Sequence, residues 1–411
     1  MSSASVELAK HVLMVFGIIL AVGAASAVLA QKLKTPDVVV FLVIGMLLGP
    51  DVAGVINIKA DSALNQLVLI FGSCYILFDG GASLRLKVLK EVWITIFVLA
   101  TLGVLITAAI TGLAAYYLLG IPPIVALLLA STIASTDPAT LVPVFRQVKI
   151  KDRVAQTVMA ESAFNDATGA ILTFAVLAVA MGHGDVSISG ALLDLLKQSS
   201  FGLIAGLVLG YLAILLIAHE KLGFLQQHAP LVSLMAVIGA YLSADGLQAS
   251  GFMAVFVFGM VIGNKDAFGF SMGEGGQAKL DDFVATTALI MRMFIFLLLG
   301  AQVDFALMNK ALLGGIAVVA VFMLLARPIT VFLCALPDRR AKWTAKELLF
   351  MCWTRETGVI PGALAGLLMG MGAPQANLIA SVTFLAILMT ILIQATTTRW
   401  IAQKLDLLVE E

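Results

Sequence analysis

The chain has 411 residues, of which 61% are hydrophobic and only 12% charged. Soluble domains carry about 25% charged residues, so this composition, with a mean hydropathy of +1.06, excludes a water-soluble globular protein and indicates an integral membrane protein. The formal net charge is zero and gives no sign of a nucleic-acid partner.

The first apolar run, "HVLMVFGIILAVGAASAVLA", lacks a basic leading segment and a small-residue cleavage site, so it reads as a first span and not as a removable signal peptide. A bilayer core takes about 20 apolar residues per helix. Apolar runs between charged or Gly/Pro punctuation predict thirteen spans, numbered here in chain order, near residues 8–30, 36–50, 63–82, 91–119, 122–145, 153–181, 197–218, 228–244, 249–263, 280–303, 308–336, 345–372 and 374–400. Spans 2 and 9 are short. Between spans 9 and 10, "GFSMGEGGQAKLDD" (269–282) reads as a flexible cytoplasmic linker, because its glycines follow no strand and match no phosphate-cradling loop. Gly202, Gly206 and Gly210, and Gly358, Gly362, Gly366 and Gly370, recur every four residues and predict smooth ridges for close helix packing. Cys74, Cys334 and Cys352 fall in apolar runs without metal or redox spacing and read as reduced packing residues. His11, His183, His219 and His228 sit at span ends, where interfacial or loop positions suit them.

Thirteen spans place alternate loops on one side. One set of loops, with the tail, holds 18 basic residues, from Lys32, Lys34 and Arg85 through to Arg399 and Lys404; the other set holds four, Lys10, Lys59, Lys197 and Lys310. The positive-inside rule then puts the N-terminus outside and the C-terminus in the cytoplasm.

Span 5 contains "ASTIASTDPATLVPVF". Pro138 donates no hydrogen bond, clashes with the preceding turn and pushes Asp137 away from helical geometry, so the helix should break near Thr136–Asp137. Such backbone is tolerated in a membrane only where it lines a cavity or binds something, and Ser131, Thr132, Ser135, Thr136, Asp137 and Thr140 supply a run of oxygens. In span 12, "TRETGVIPGALAG", Gly358 and Pro361 interrupt an apolar helix in the same way. Spans 5 and 12 are each fifth in a group of six, with span 7 between the groups. The expected fold is therefore all-α and polytopic, an inverted repeat of two six-helix halves whose broken helices cross.

Span 6 is about 43 Å long and centred near residue 167. Glu161 and Asn165, and Ser162 and Asp166, are four apart and share one sector. An intramembrane carboxylate is expensive and by default functional. Asp166 has no evident basic partner and reads so; Glu161 reads as half of a structural ion pair with Arg355 of span 12.

"STDPAT" (135–140) followed by "AESAFNDATGAI" (160–171) resembles the monovalent cation/proton antiporters of family 1, the NhaP type. "RMFIFLLLG" in span 10, "ARPITVFL" in span 11 and the arginine in span 12 extend the resemblance over the chain. It implies a core bundle (residues 91–181 and 308–400), an interface bundle forming a homodimer (1–82 and 228–303), a linker helix (197–218) and a short cytoplasmic tail (401–411). Asp166 would match the residue that binds a monovalent cation or a proton, with Ser162, the Thr136 carbonyl and Asp137 as neighbouring ligands. Asn165 would match the residue that aspartate replaces in electrogenic relatives, Glu161 with Arg355 the stabilising pair, and Asp79 an access-path acid. A prokaryotic inner membrane, no cofactor and no enzymatic activity are implied. Two features depart from the pattern: Glu356 follows Arg355 where relatives commonly have glycine, and this sequence runs only about ten residues past span 13 where many relatives carry a long regulatory tail, whether that tail is absent or simply lies beyond these residues.

The resulting expectation is Na⁺ (or Li⁺)/H⁺ exchange by competition at Asp166 with alternating access, electroneutral because Asn165 adds no second titrating charge. K⁺/H⁺ exchange is the alternative within transport. An intramembrane aspartyl protease using Asp137 and Asp166 is the alternative outside it, disfavoured because "AFN" stands before Asp166.

Overall fold

A computed structural model describes residues 4–33, 35–59, 62–182, 188–219 and 223–409. Lys34 and Lys221 of the charge count, and His183, lie outside these residues.

Every candidate span is helical. Span 1 is Ala4–Leu33, span 2 Asp37–Leu48, span 3 Ala63–Ala82, span 4 Leu86–Leu119, span 6 Asp152–Ala180, span 7 Ile188–Ala218, span 8 Ala229–Gly246, span 9 Gly251–Gly263, span 10 Glu274–Ala301, span 11 Leu312–Ala335 and span 13 Ala376–Lys404. Span 5 is two half-helices, 5a (Pro123–Ile133) and 5b (Pro138–Gln147), and span 12 is likewise 12a (Ala345–Trp353) and 12b (Val359–Gly370). Among the described residues, ten segments are long and apolar enough to cross a bilayer; Asp37–Leu48, Gly251–Gly263 and Val359–Gly370 are the shorter apolar helices. Local chemistry sets several of the starts. Ser62 accepts from Asn65 N–H at 3.3 Å ahead of span 3, and Ser250 from Met253 N–H at 3.3 Å ahead of span 9. Thr344 and Glu347 form a reciprocal capping box on 12a.

A π-helical turn interrupts span 4 at Leu99–Gly103 and span 11 at Phe322–Ala326, a matched pair under the seven-span offset of the repeat. A third lies in span 13 at Thr390–Ala395. Span 9 packs between spans 3 and 7, and span 10 against spans 2 and 3.

Two expectations are corrected. The 269–282 linker shortens to 269–273, because span 10 already begins at Glu274. Gly275 and Gly276 fall in the first helical turn, where they cost least, and helix-favouring residues follow, with Gln277 donating to Asp281 one turn on at 2.7 Å. The second glycine ridge is also only half a packing surface. A Cβ at Gly202, Gly206 or Gly210 would lie 2.7, 2.4 and 2.7 Å from span 9 atoms, whereas Gly366 and Gly370 have nothing within 4 Å. The three cysteines are buried and free.

On the face carrying the 5–6 loop, the tail folds back. Lys151 N–H donates to Leu407 O and Val409 N–H to Lys149 O, both at 3.0 Å, around an isolated Ile150–Leu408 bridge. Lys346 at the start of 12a pairs with Asp406.

Candidate cation and proton site

A helix end leaves N–H or C=O groups unsatisfied and carries a partial charge, positive at the N-terminus and negative at the C-terminus. Two broken helices put four such ends inside the bundle, and the side chains there answer them by sign. Asp137 accepts from Ala139 N–H at 2.9 Å, capping 5b, and from Val359 N–H, capping 12b. Its own N–H donates to Glu356 O at 3.0 Å, which ties the two breaks together. Gly358 makes this possible: a Cβ there would sit 2.0 Å from Asp137 Oδ2. At the opposite polarity, Arg355 donates to Ala134 O at the C-terminal end of 5a and lies 4.7 Å over the Phe322 ring.

That placement corrects the expected Glu161–Arg355 pair. Glu161 is instead held by Arg327 of span 11, two parallel bonds at 2.6 and 2.8 Å with both side chains essentially unexposed. Arg327 also donates to Met351 O at 2.9 Å, near the end of 12a. The break claims Arg355, whereas Glu161 lies more than a helical turn before Asn165, which meets the break, and faces span 11. Glu356 is not the partner of Arg355 either; its carboxylate is buried without a hydrogen-bond partner among the described residues.

Asn165 braces the break from span 6. Its Oδ1 accepts from Thr136 N–H at 3.0 Å and its Nδ2 donates to Thr136 Oγ1 at 2.8 Å. Asp166, the next residue, is 3% exposed. Both its carboxylate oxygens, and the hydroxyls of Ser162 and Ser135, are buried without a hydrogen-bond partner among the described residues. Asp137 is close enough for its charge to act on Asp166. The structure thus gathers Thr136, Asp137, Ser162, Asn165 and Asp166 at one crossing. Glu161 and Arg355 flank it without touching each other.

Asp166 lines a cavity of about 320 Å³ that reaches Gln66 near the start of span 3, Gln198 in the first half of span 7, Asp245 near the end of span 8 and Ser250, the N-cap of span 9. A second cavity, of about 470 Å³, lies toward the opposite ends of the helices and is lined by Asp79, Arg146, Lys265, Asp281 and Asp282 but not by Asp166. Asp79 is buried there and paired with Arg146 of 5b, which also donates to Ser83 Oγ at 3.1 Å. Asp79 therefore stands apart from the crossing. Sequence reasoning passed over Arg327. The available signal was that an arginine inside an apolar run needs an acid, as with Arg292, which pairs with Asp37 at 3.4 Å.

Paired helix breaks crossing beside a mid-membrane carboxylate define a secondary transporter. The chain belongs to the family described as sodium/hydrogen exchanger, transmembrane, whose model matches residues 17–404. It is 33% identical over 359 residues to Na(+)/H(+) antiporter 1 of Methanocaldococcus jannaschii, covering 85% of this chain and 81% of that protein. It is 30% identical over 403 residues to the K(+)/H(+) antiporter NhaP of Alkalimonas amylolytica, covering 96% of this chain and 67% of that one. The structure of the sodium proton antiporter MjNhaP1 from M. jannaschii at pH 8 superposes with a TM-score of 0.76 at 28% identity, over 96% of this chain and 99% of that one.

Proposed function

We propose that this chain is a monovalent cation/proton antiporter in which Asp166 carries the cation or the proton, one at a time. The observation that carries the reading is Asp166 itself. It is buried at mid-span, beside two helix breaks, with both oxygens uncommitted and a cavity leading to one face. A hard cation is satisfied by oxygen ligands; Ser162, Asp137 and the Thr136 carbonyl are the neighbours that supply them. Either a proton or a cation neutralises Asp166, and a neutralised core crosses an apolar barrier more readily than a charged one. Asn165, committed through both amide atoms to Thr136, adds no titrating charge, which supports electroneutral exchange.

Na⁺ is the preferred cation, on the similarity to the M. jannaschii antiporter over most of both chains. K⁺ is the second reading, since a K⁺/H⁺ antiporter matches almost the whole chain at nearly the same identity. The protease reading has no support: Asp137 is engaged by two helix N-termini, and the family consists of transporters.

With the basic loops in the cytoplasm of a prokaryotic inner membrane, the Asp166 cavity faces outward and the Asp79–Arg146 pair closes the cytoplasmic route. Spans 1–3 and 8–10 form the static, dimerising bundle, against which spans 4–6 and 11–13 move. Proteoliposomes with a trapped pH dye, given Na⁺, Li⁺ and K⁺ separately, test the reading. Cation-driven proton flux that Asp166→Asn abolishes is expected; flux undiminished in Asp166→Asn would overturn the assignment.

A further inference from the structure

Span 5 brings more oxygens to the crossing than the site so far uses, and the hydrogen bonds sort them. Ser131 and Thr132 both donate to Leu128 O, at 2.9 and 2.8 Å, and are spent within 5a. Thr136 Oγ1 is taken by Asn165, and Thr140 Oγ1 leans on Asp137 at 3.4 Å. Ser135 alone in this run has a fully buried hydroxyl with no hydrogen-bond partner among the described residues. It lies near enough to the Asp166 carboxylate to act on it, without a hydrogen bond of good geometry between them.

A second, independent observation explains how it gets there. Gly169 follows Asp166 by three residues, on the same face of span 6. A Cβ at Gly169 would lie 2.8 Å from Ser135 Cβ and 3.1 Å from Ser135 Oγ. Any larger residue would force Ser135, in the broken stretch of span 5, to shift. The glycine is a notch cut for this serine.

We propose that Ser135 Oγ is a further ligand of the transported cation, alongside Ser162 and Asp166, and that Gly169 sets its distance. The proposal rests on the antiport reading and deepens it. A hydroxyl suits both halves of the competition: it offers a lone pair to a cation, and it accepts the hydrogen bond of a protonated Asp166. Because oxygen number and cavity size decide which hard cation fits, this serine–glycine contact is where selectivity among Na⁺, Li⁺ and K⁺ is set.

The test compares wild type, Ser135→Ala, Gly169→Ala and Asp166→Asn in proteoliposomes, with KM and kcat measured for each of the three cations. Losing one neutral ligand is expected to raise KM for the preferred cation about five- to tenfold while kcat changes less than about twofold. The three KM values should not rise in proportion, and Gly169→Ala should reproduce the pattern. Ser135→Ala removes one atom and keeps the backbone, so it decides the matter even if Gly169→Ala fails to fold. If Asp166→Asn is inactive and Ser135→Ala keeps all three KM values within twofold, the Ser135 assignment is overturned and the antiport site stands. If Asp166→Asn exchanges at wild-type rates, the site and this assignment fall together.

Discussion

Arg327→Ala should destabilise the protein more than any change at Asp166. The substitution leaves Glu161, 1% exposed, as a bare charge inside the bundle, and strips Met351 O of its donor. Breaking one side of a buried pair costs about 3–5 kcal/mol, and an orphaned buried carbonyl adds about 1–3 kcal/mol. Against a typical total of about 5–15 kcal/mol, that loss is large enough to lower the yield of folded protein. Removing both charges is a different matter: Glu161→Met with Arg327→Met leaves no orphan charge and should recover most of the loss. The assay is the folded fraction remaining in detergent after heating, read by size-exclusion chromatography, for Arg327→Ala, the singles Arg327→Met and Glu161→Met, their double variant and Asp166→Asn. Asp166→Asn removes an unpaired charge and should not lower the melting point. Equal melting points for Arg327→Ala and wild type would refute the pairing. A double variant as unstable as the sum of the singles would refute the orphan-charge argument.

Gly358→Ala should abolish exchange and impair folding, since its Cβ would overlap Asp137 Oδ2 at 2.0 Å; retained transport would show that the two breaks are not locked together. If the Asp79–Arg146 pair is the closure proposed above, Arg146→Gln should loosen it, and a cysteine placed at Val142, buried where 5b meets Gly80 of span 3, should then react faster with a thiol reagent added from the face that carries the 5–6 loop. Unchanged labelling would mean that the Asp79–Arg146 pair is no gate. Wild-type transport should produce no sustained current on a solid-supported membrane while dye-detected proton flux continues; a current that scales with turnover would require a second proton carrier. Competition at one carboxylate also predicts a bell-shaped rate against pH, slowed at low pH by protons on Asp166 and at high pH by lack of them.

The helices were legible because hydrophobic runs and their punctuation are local signals, and span 3 came out at its observed bounds, 63–82. Both breaks were legible too, because proline acts on its own neighbourhood. What sequence could not assign was partnership. Glu161 had three arginines within apolar spans to choose from, Arg292, Arg327 and Arg355, and only the depth and rotation of spans 10, 11 and 12 decide that Arg327 meets it while Arg355 turns to the carbonyl end of 5a and Arg292 pairs with Asp37. The extra start of span 10 was hidden by Gly275 and Gly276, which read as linker yet sit where a helix tolerates them. The four-residue glycine spacing in 12b was a true period without a partner over its second half. Gly358 matters there for its contact with a carboxylate and not for a ridge.

The folded-back tail changes where a force applied at the C-terminus would arrive. Span 13 ends at Lys404, but the chain does not leave the protein there. Leu407 to Val409 are hydrogen-bonded in register with Lys149 to Lys151, the short link joining 5b to span 6, and Lys346 anchors Asp406 to the start of 12a. Traction on the tail is therefore delivered first to the hairpin that carries Asp137 on one arm and Asp166 on the other. Anything that grips the C-terminal end pulls on the helices that meet at the crossing through a tether a few residues long, with span 13 bypassed.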